Sequence, residues 1–270
     1  MRSIEVFASG VAIWDGRRQF TLDDEQVGSL LAAVEAAGFV TFEAVYGGAT
    51  SRQGNPKRPA TEAVVTVTCR VSLRLSDVEK QSAQLEKGEQ SEALRSLAET
   101  LFALCEGPAR HGVAAADLAD GLDLLARGRL APETFSVVFH RKPEPGAATG
   151  GSGSGLLLRL QGDTATTRIY DPATGYGEPR TLTLQPAEVG RLAANLAREA
   201  PDDLPVNLWA PDYTDLSLRV LDHRRSLQAR RFAGMEPHSH GEAQARFDRL
   251  VVALETLHAN VLTDGEPYRP

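Results

Sequence analysis

A chain of 270 residues suits one large domain or two ordinary ones, and each half, about 130 residues, can bury roughly two-thirds of its unfolded surface. Its 42% hydrophobic and 24% charged content is that of a globular protein, not a disordered or fibrous one. A formal charge of −7 argues against nucleic acid as a partner, with RSLQARR at Arg225–Arg231 as the local exception, and no run approaches the roughly 18 apolar residues of a membrane span.

The amino terminus, MRSIEVFASG, lacks the apolar core and cleavage site of a secretory leader. A cytoplasmic location is expected, or an exported one if a leader has been removed. Ser3–Ala8 and Val11–Trp14 read as short strands separated by Ser9-Gly10, with Asp15-Gly16 as a turn. Thr21–Asp24 supplies a helix N-cap, and Val27, Leu30, Leu31 and Val34 recur at helical spacing up to Gly38. Phe39, Phe42 and Tyr46 are expected beneath that helix. Gly47–Arg58 is a polar loop of turn formers. From Ala63 to Leu75 apolar and polar residues alternate, the mark of a strand with one buried face. Asp77–Glu89 lacks periodicity and reads as loop or solvated helix. Leu94, Leu97, Leu101 and Leu104 mark a second helix.

Ala114–Ala126 reads as a short connecting helix. Phe135–Arg141 follows as a strand, then the low-complexity PEPGAATGGSGSG at Pro143–Gly155, which is either an interdomain linker or a hairpin loop leading into Leu156–Leu160. The hairpin is preferred, because both flanks are strand-like. Beyond it TLDDEQVGSLLAAVEAA (Thr21–Ala37) returns as TLQPAEVGRLAANLARE (Thr183–Glu199), with Thr, Leu, Val, Gly and Leu at matching offsets. TVTCRV at Thr66–Val71 is echoed by DLSLRV at Asp215–Val220. The four leucines of the second helix align with Phe247, Leu250, Leu254 and Leu257. Three matches in one order predict an internal duplication. The expected fold is α+β, in two repeated units, each an antiparallel sheet with amphipathic helices packed on one face. Residues 1–110 form the first unit, 111–132 a helical connector and 133–270 the second unit.

No catalytic motif emerges. The Gly150–Gly155 run has no Gly-Lys-Ser/Thr and leads into a strand, so it fits neither a phosphate loop nor a dinucleotide fingerprint. Cys69 and Cys105 fall on faces assigned to the core; free thiols are expected, with a disulfide as the alternative in an exported chain. His238 and His240, in PHSHG, are the closest histidine pair and the candidate metal ligands, against the plainer reading of a solvated loop. Trp209, Asp212, Tyr213 and Asp215, in LWAPDYTD, are the candidate ligand-binding residues; the plainer reading is a loop entering a strand, with Trp209 anchoring the core. Trp14, Phe39, Phe42, Tyr46, Tyr170 and Tyr176 are expected to close cores. No cofactor is implied.

Two short strands, Thr-Leu opening a helix, Ala36–Phe39 (AAGF) closing it, an alternating strand and a Leu-spaced helix together resemble emfourin, a family of small bacterial inhibitors of thermolysin-like metalloproteases. The layout is equally similar to bacterial domains of unknown function. The resemblance covers Ile4–Leu104 and, more faintly, Phe135–Leu262. It implies a protein-binding module, of which protease inhibition is one form. The alternative expectation is an enzyme or small-ligand binder with a cleft between the halves, using the carboxylates near Trp209 and the His238/His240 pair.

Overall fold

The computed structural model describes residues 3–7, 9–42, 45–46, 67–75, 78–85, 91–142, 155–171, 174–210, 212–230 and 241–267. The chain is α+β and divides into two units, Met1–Val113 and Ala114–Pro270. In the first, β1 (Ile4–Val6), β2 (Val11–Trp14) and β3 (Arg18–Thr21) form an antiparallel meander. Its turns are made at Gly10, with φ of 80°, and at Asp15-Gly16, where both residues have positive φ. Helix α1 (Asp24–Ala36) starts at a capping box: Asp23 Oδ1 accepts from the Gln26 amide at 2.8 Å, and Gln26 Oε1 accepts from the Asp23 amide at 3.0 Å. A 3-10 turn at Phe39–Thr41 leads to β4 (Val45–Tyr46), followed by β5 (Val67–Leu75), β6 (Val78–Leu85), α2 (Glu92–Arg110) and β7 (Val113–Ala114).

Strand β7 adds to the meander, giving the order β1-β2-β3-β7, while β4-β6-β5 forms a separate sheet. Helix α2 packs on β3 of one sheet and on β5 and β6 of the other. Strand β6 corrects the expectation of loop or solvated helix over Asp77–Glu89. Its sequence, VEKQSAQL, has apolar residues mainly at the ends, and pairing with β5 along almost its whole length decides the conformation.

The core of the first unit has two clusters. Ala12, Phe20, Leu22, Leu30, Cys105 and Ala109 form one, with Trp14, Val27 and Leu101 against it. Phe39, Phe42, Leu94, Leu97 and Ala98 form the other. Trp14 meets Phe102 edge to face at 5.3 Å, and Phe39 meets Phe42 likewise at 5.5 Å, as core aromatics do. Cys105 is a free thiol, and burial pushes its pKa up to about 11. Two expected core leucines are exposed instead: Leu31 at 41% and Leu104 at 39%. Helix α2 covers α1 on the Leu30 side and leaves Leu31 at the rim of the packed stripe.

The second unit opens with α3 (Leu118–Ala126), the helix read from sequence as a connector, which packs within its own unit on the helix at Pro186–Arg198 and on the strands at Tyr213–Val220 and His223–Ala229. Next come β8 (Phe135–Lys142), β9 (Gly155–Gln161), β10 (Thr164–Asp171), β11 (Gly175–Tyr176), β12 (Arg180–Thr183) and α4 (Pro186–Arg198). A 3-10 turn at Pro201–Asp203 precedes β13 (Asn207–Leu208), β14 (Tyr213–Val220), β15 (His223–Ala229), α5 (Glu242–Asp264) and β16 (Glu266–Pro267). They build one nine-stranded sheet in the order β13-β15-β14-β8-β9-β10-β12-β16, with β11 on β10. Residues 143–154 join β8 to β9, which are antiparallel neighbours in this sheet. Strand β15 was not expected; Leu227 and Ala229 are buried while Arg224, Ser226 and Gln228 are exposed, an alternation that the run of arginines obscures.

From the meander onward the two units share one order of elements, β11 excepted. Three strands of a meander (β1-β2-β3; β9-β10-β12) lead to a 13-residue helix, a 3-10 turn, a two-residue strand, a hairpin and a long helix. The two-residue strand pairs in parallel with the second strand of the hairpin in both cases, β4 with β6 and β13 with β15. The last short strand returns to the meander edge, β7 on β3 and β16 on β12. The Leu22 amide donates to Gly10 O and the Leu184 amide to Asp163 O, both at 2.8 Å. Besides α3, the 3-10 turn at Pro132–Thr134 and β11, the second unit has β8, which joins β14 to β9; among the described residues of the first unit no strand pairs with both β5 and β1. The first unit therefore has two sheets where one was expected.

Packing in the second unit follows the alternation. Phe135, Val137 and Phe139 of β8, Leu156, Leu158 and Leu160 of β9, and Leu216, Leu218 and Val220 of β14 are buried. Helix α5 covers β10 and β12 with Phe247, Leu250, Leu254, Leu257 and Val261 buried, and α4 packs on α3 and α5. In α4 the buried residues are Val189, Ala193 and Leu196, whereas Leu192, which matches Leu30, is half-buried. Replacing Leu30 or Leu196 by Ala should each cost about 2–5 kcal/mol, as buried Leu-to-Ala changes do. Leu31→Ala should stay within about 0.5 kcal/mol. Urea unfolding of the three variants checks this; equal losses at Leu30 and Leu31 would refute the assigned helix face.

Candidate functional site

Strand alternation sends Phe135, Val137 and Phe139 of β8 toward the helices and puts His140 and Lys142 on the opposite, open face of the sheet. Asp215 lies directly across from His140 on β14, and Tyr213 across from Lys142. On the other flank, Gly155 of β9 pairs with Tyr170 of β10, which pairs with Tyr176 of β11. Gly155 is required there, since a Cβ would stand 2.3 Å from Arg141 O. With no side chain at that position, Lys142 Nζ reaches to 5.3 Å from the Tyr170 ring centre and 6.0 Å from that of Tyr176. The two tyrosine rings are 5.1 Å apart at 59°, and Tyr176 Oη sits 2.6 Å from His140 Nε2.

These groups form one connected cluster: Tyr170, Tyr176, His140, Lys142, Asp215 and Tyr213. Burial holds the pKa of His140 below its ordinary value, Lys142 lowers it further, and Asp215 works in the opposite direction. The Tyr213 hydroxyl is pushed up, first by its hydrogen bond to Asp215. His140 is therefore held toward its neutral form, able to exchange a hydrogen bond with Tyr176 or with a docked group, while Lys142 supplies a positive charge. The arrangement offers hydrogen bonds, aromatic surface and one cation on an open sheet.

Of the expected ligand-binding residues, Tyr213 and Asp215 belong to this cluster. Trp209 is half-buried and serves as an anchor: its amide donates to Gln244 Oε1 at 3.0 Å and its carbonyl accepts from Gln244 Nε2 at 2.9 Å. Gln244 is buried and also donates to Asp248 Oδ1 at 2.8 Å, so its amide ties the end of β13 to α5. The Asp212 carbonyl accepts from the Thr214 hydroxyl at 3.3 Å, closing the turn into β14. His238 and His240, with the metal reading attached to them, lie outside the described residues. Among the described residues no group of three or more His, Cys, Asp or Glu side chains is placed to hold a metal ion.

Sequence reading missed His140, Lys142, Tyr170 and Tyr176 as a set. The alternation of Phe135–Arg141 could have put His140 on the open face, but its partners come from β10, β11 and β14. Tyr176, expected in a core, is 37% exposed.

A second polar set lies on the helix-facing side, where α5 crosses the sheet. Arg141 pairs with Glu255, Thr167 with His258, and the Arg180 guanidinium donates to Leu262 O. Burial and the neighbouring Arg141 lower the pKa of His258. In the first unit, Leu22, Asp23, Gln26, Leu30, Leu104 and Cys105 line an open pocket of about 290 Å³ between α1 and α2.

Neither protein-family models nor curated protein sequences match this chain.

The opposing effects of Lys142 and Asp215 give a signed prediction for ring NMR. His140 should titrate below the ordinary imidazole value of 6.5; Lys142→Met should raise its midpoint, and Asp215→Asn should lower it. A midpoint indifferent to both changes would show that the cluster is not assembled in solution.

Proposed function

We propose that the protein is a non-catalytic protein-interaction module made of two copies of one α+β unit, the second presenting a partner-binding face on its open sheet. The observation that carries this reading is the cluster of exposed Tyr176 with half-buried Tyr170, His140 and Lys142 on the open face of the sheet, continued along that face by Val138, Arg159 and Arg168, which are exposed. Tyrosine and arginine on an accessible surface are the residue types that dominate protein–protein contacts. Duplication is supported by the shared order of elements from the meander onward, by the shared strand pairing, and by the sequence echo at Thr21/Thr183, which falls on matching helices.

Affinity capture from the source organism, run in parallel with wild-type protein and a Lys142→Ala/Tyr176→Ala double variant, tests the face. The expected result is a partner retained by the wild type and weakened about tenfold or more by the variant, with unchanged circular dichroism. The same partners held equally by both proteins would remove the face from the reading.

Inhibition of a thermolysin-like metalloprotease is the specific form of this function that the emfourin resemblance supports. Titrating such a protease with the protein should then lower its activity in a saturable way. Unchanged activity at excess protein would eliminate that form and leave the interaction module itself untouched.

A further inference from the structure

We infer that the open face of the second unit's sheet binds an acidic segment of a partner protein, rich in Asp and Glu and laid across the strands. The inference rests on the protein-interaction reading above and gives that partner a chemistry.

The pleat decides which side chains share this face. Arg159 of β9 lies opposite Val138 of β8 and Thr166 of β10, and Arg168 of β10 lies opposite Leu157 of β9. On the other flank Arg219 of β14 lies opposite Ser136 of β8 and opposite Arg224 of β15. All four arginines are exposed, and Lys142 adds its charge to theirs. Asp215 is the one carboxylate that β8, β9, β10, β14 and β15 place on the face, at the other end of β14 from Arg219. The face is thus cationic in a chain whose formal net charge is −7.

Two observations set these arginines apart from those that serve the fold. Among the described residues no ion pair engages Arg159 or Arg168. On the helix side, by contrast, Arg141 is tied to Glu255, and Arg246 to the carbonyls of Glu199 and Ala200. Arg219 and Arg224 stand directly across from each other, a like-charge placement that costs stability in a strand pair. Their Nε groups donate to Leu221 O at 2.6 Å and to Ser217 Oγ at 3.1 Å, which holds both guanidinium groups in place. A carboxylate docked between the two offsets their repulsion.

The residue types select among anions. The planar fork of arginine pairs with a carboxylate through two parallel hydrogen bonds. A single-stranded nucleic acid needs free ring faces on which to stack its bases. Tyr170 and Tyr176 pack against each other at 59° beneath Lys142, so these two rings are already taken. The line from Arg224 through Arg219 and Arg159 to Arg168 crosses five neighbouring strands of the sheet. With about 4.8 Å between strands and about 3.3 Å per residue along them, it spans roughly 20–25 Å, the length of about seven extended residues.

The test is fluorescence anisotropy of a labelled oligo-glutamate peptide of about ten residues, titrated with the full chain at low salt. Saturable binding is expected, and it should be lost as salt rises from about 0.05 to about 0.5 M, because screening shortens the reach of exposed charges. Arg159→Gln/Arg168→Gln and Arg219→Gln/Arg224→Gln should each weaken it about tenfold or more, with unchanged circular dichroism. Arg191→Gln, which removes an exposed arginine of α4, should leave it as it is. No binding at low salt, undiminished binding by both double variants, or an equal loss in Arg191→Gln overturns the inference. Tighter binding of an oligothymidylate of the same length would assign the face to nucleic acid and overturn it too. A salt-sensitive dimer that the double variants dissolve would make a second copy of the chain the occupant, with the same consequence. The parent reading is judged separately. If oligo-glutamate fails while a captured partner is still lost with Lys142→Ala/Tyr176→Ala, the face binds protein of another chemistry. Partners held equally by that variant and the wild type remove the face itself.

Discussion

The second unit depends on a single strand being buried on one face and paired on both edges. Strand β8 holds its two neighbours through complete antiparallel registers, and its Phe135, Val137 and Phe139 side chains are at most 1% exposed. Without it, β13-β15-β14, packed under α3, and the meander, packed under α5, would be two separate sheets. The pleat that buries those three residues also places His140 and Lys142 on the open side. Core formation and presentation of the cluster are thus two consequences of one period-two pattern, and they cannot be varied independently.

The helices have a different problem, because the sheet's helix-facing side is not wholly apolar. Arg141, on the same face as Phe139, needs a counter-charge, which Glu255 provides from α5, with both side chains about one-third exposed. A pair in that setting contributes modestly to stability, but breaking it would strand a partly buried charge. Thr167 is completely buried and satisfies its hydroxyl through Leu157 O and His258. Gln244 does the same for the backbone at Trp209. These contacts fix α5 in register and rotation over β10 and β12, which hydrophobic burial alone does with less directionality.

Much of the fold was legible because its helices carry local signals. The capping residues of α1, the Gly38 stop and the leucine spacing of α2 are all properties of short windows, and the structure follows them within a few residues. The elements that escaped were those whose conformation is decided by a neighbour. Strand β6 has a polar interior and takes its form from β5; β15 has its period hidden under two adjacent arginines and takes its form from β14. The cluster on the open sheet was legible only in part for the same reason. Tyr213 and Asp215 are two residues apart in sequence, whereas His140, Lys142, Tyr170 and Tyr176 are brought in by register, and register is a long-range property.

The two-copy proposal draws particular support from a position where local chemistry and backbone disagree. After α1 the chain turns into its 3-10 segment through Gly38, with φ of 63°, a conformation glycine adopts freely. After α4 the corresponding turn is made by Ala200, with φ of 40°, where an alanine is disfavoured. Nothing in the Arg-Glu-Ala-Pro sequence at 198–201 calls for that conformation. What holds it is remote: Arg246 of α5 donates to Glu199 O at 2.7 Å and Ala200 O at 2.6 Å, satisfying the carbonyls at the helix end. A fold arrived at independently would have no reason to retain an unfavourable residue in the same left-handed turn, followed by the same short helix and the same two-residue strand. The proposed duplication is consistent with all three, the Arg246 contacts holding in the second unit a turn that glycine makes in the first.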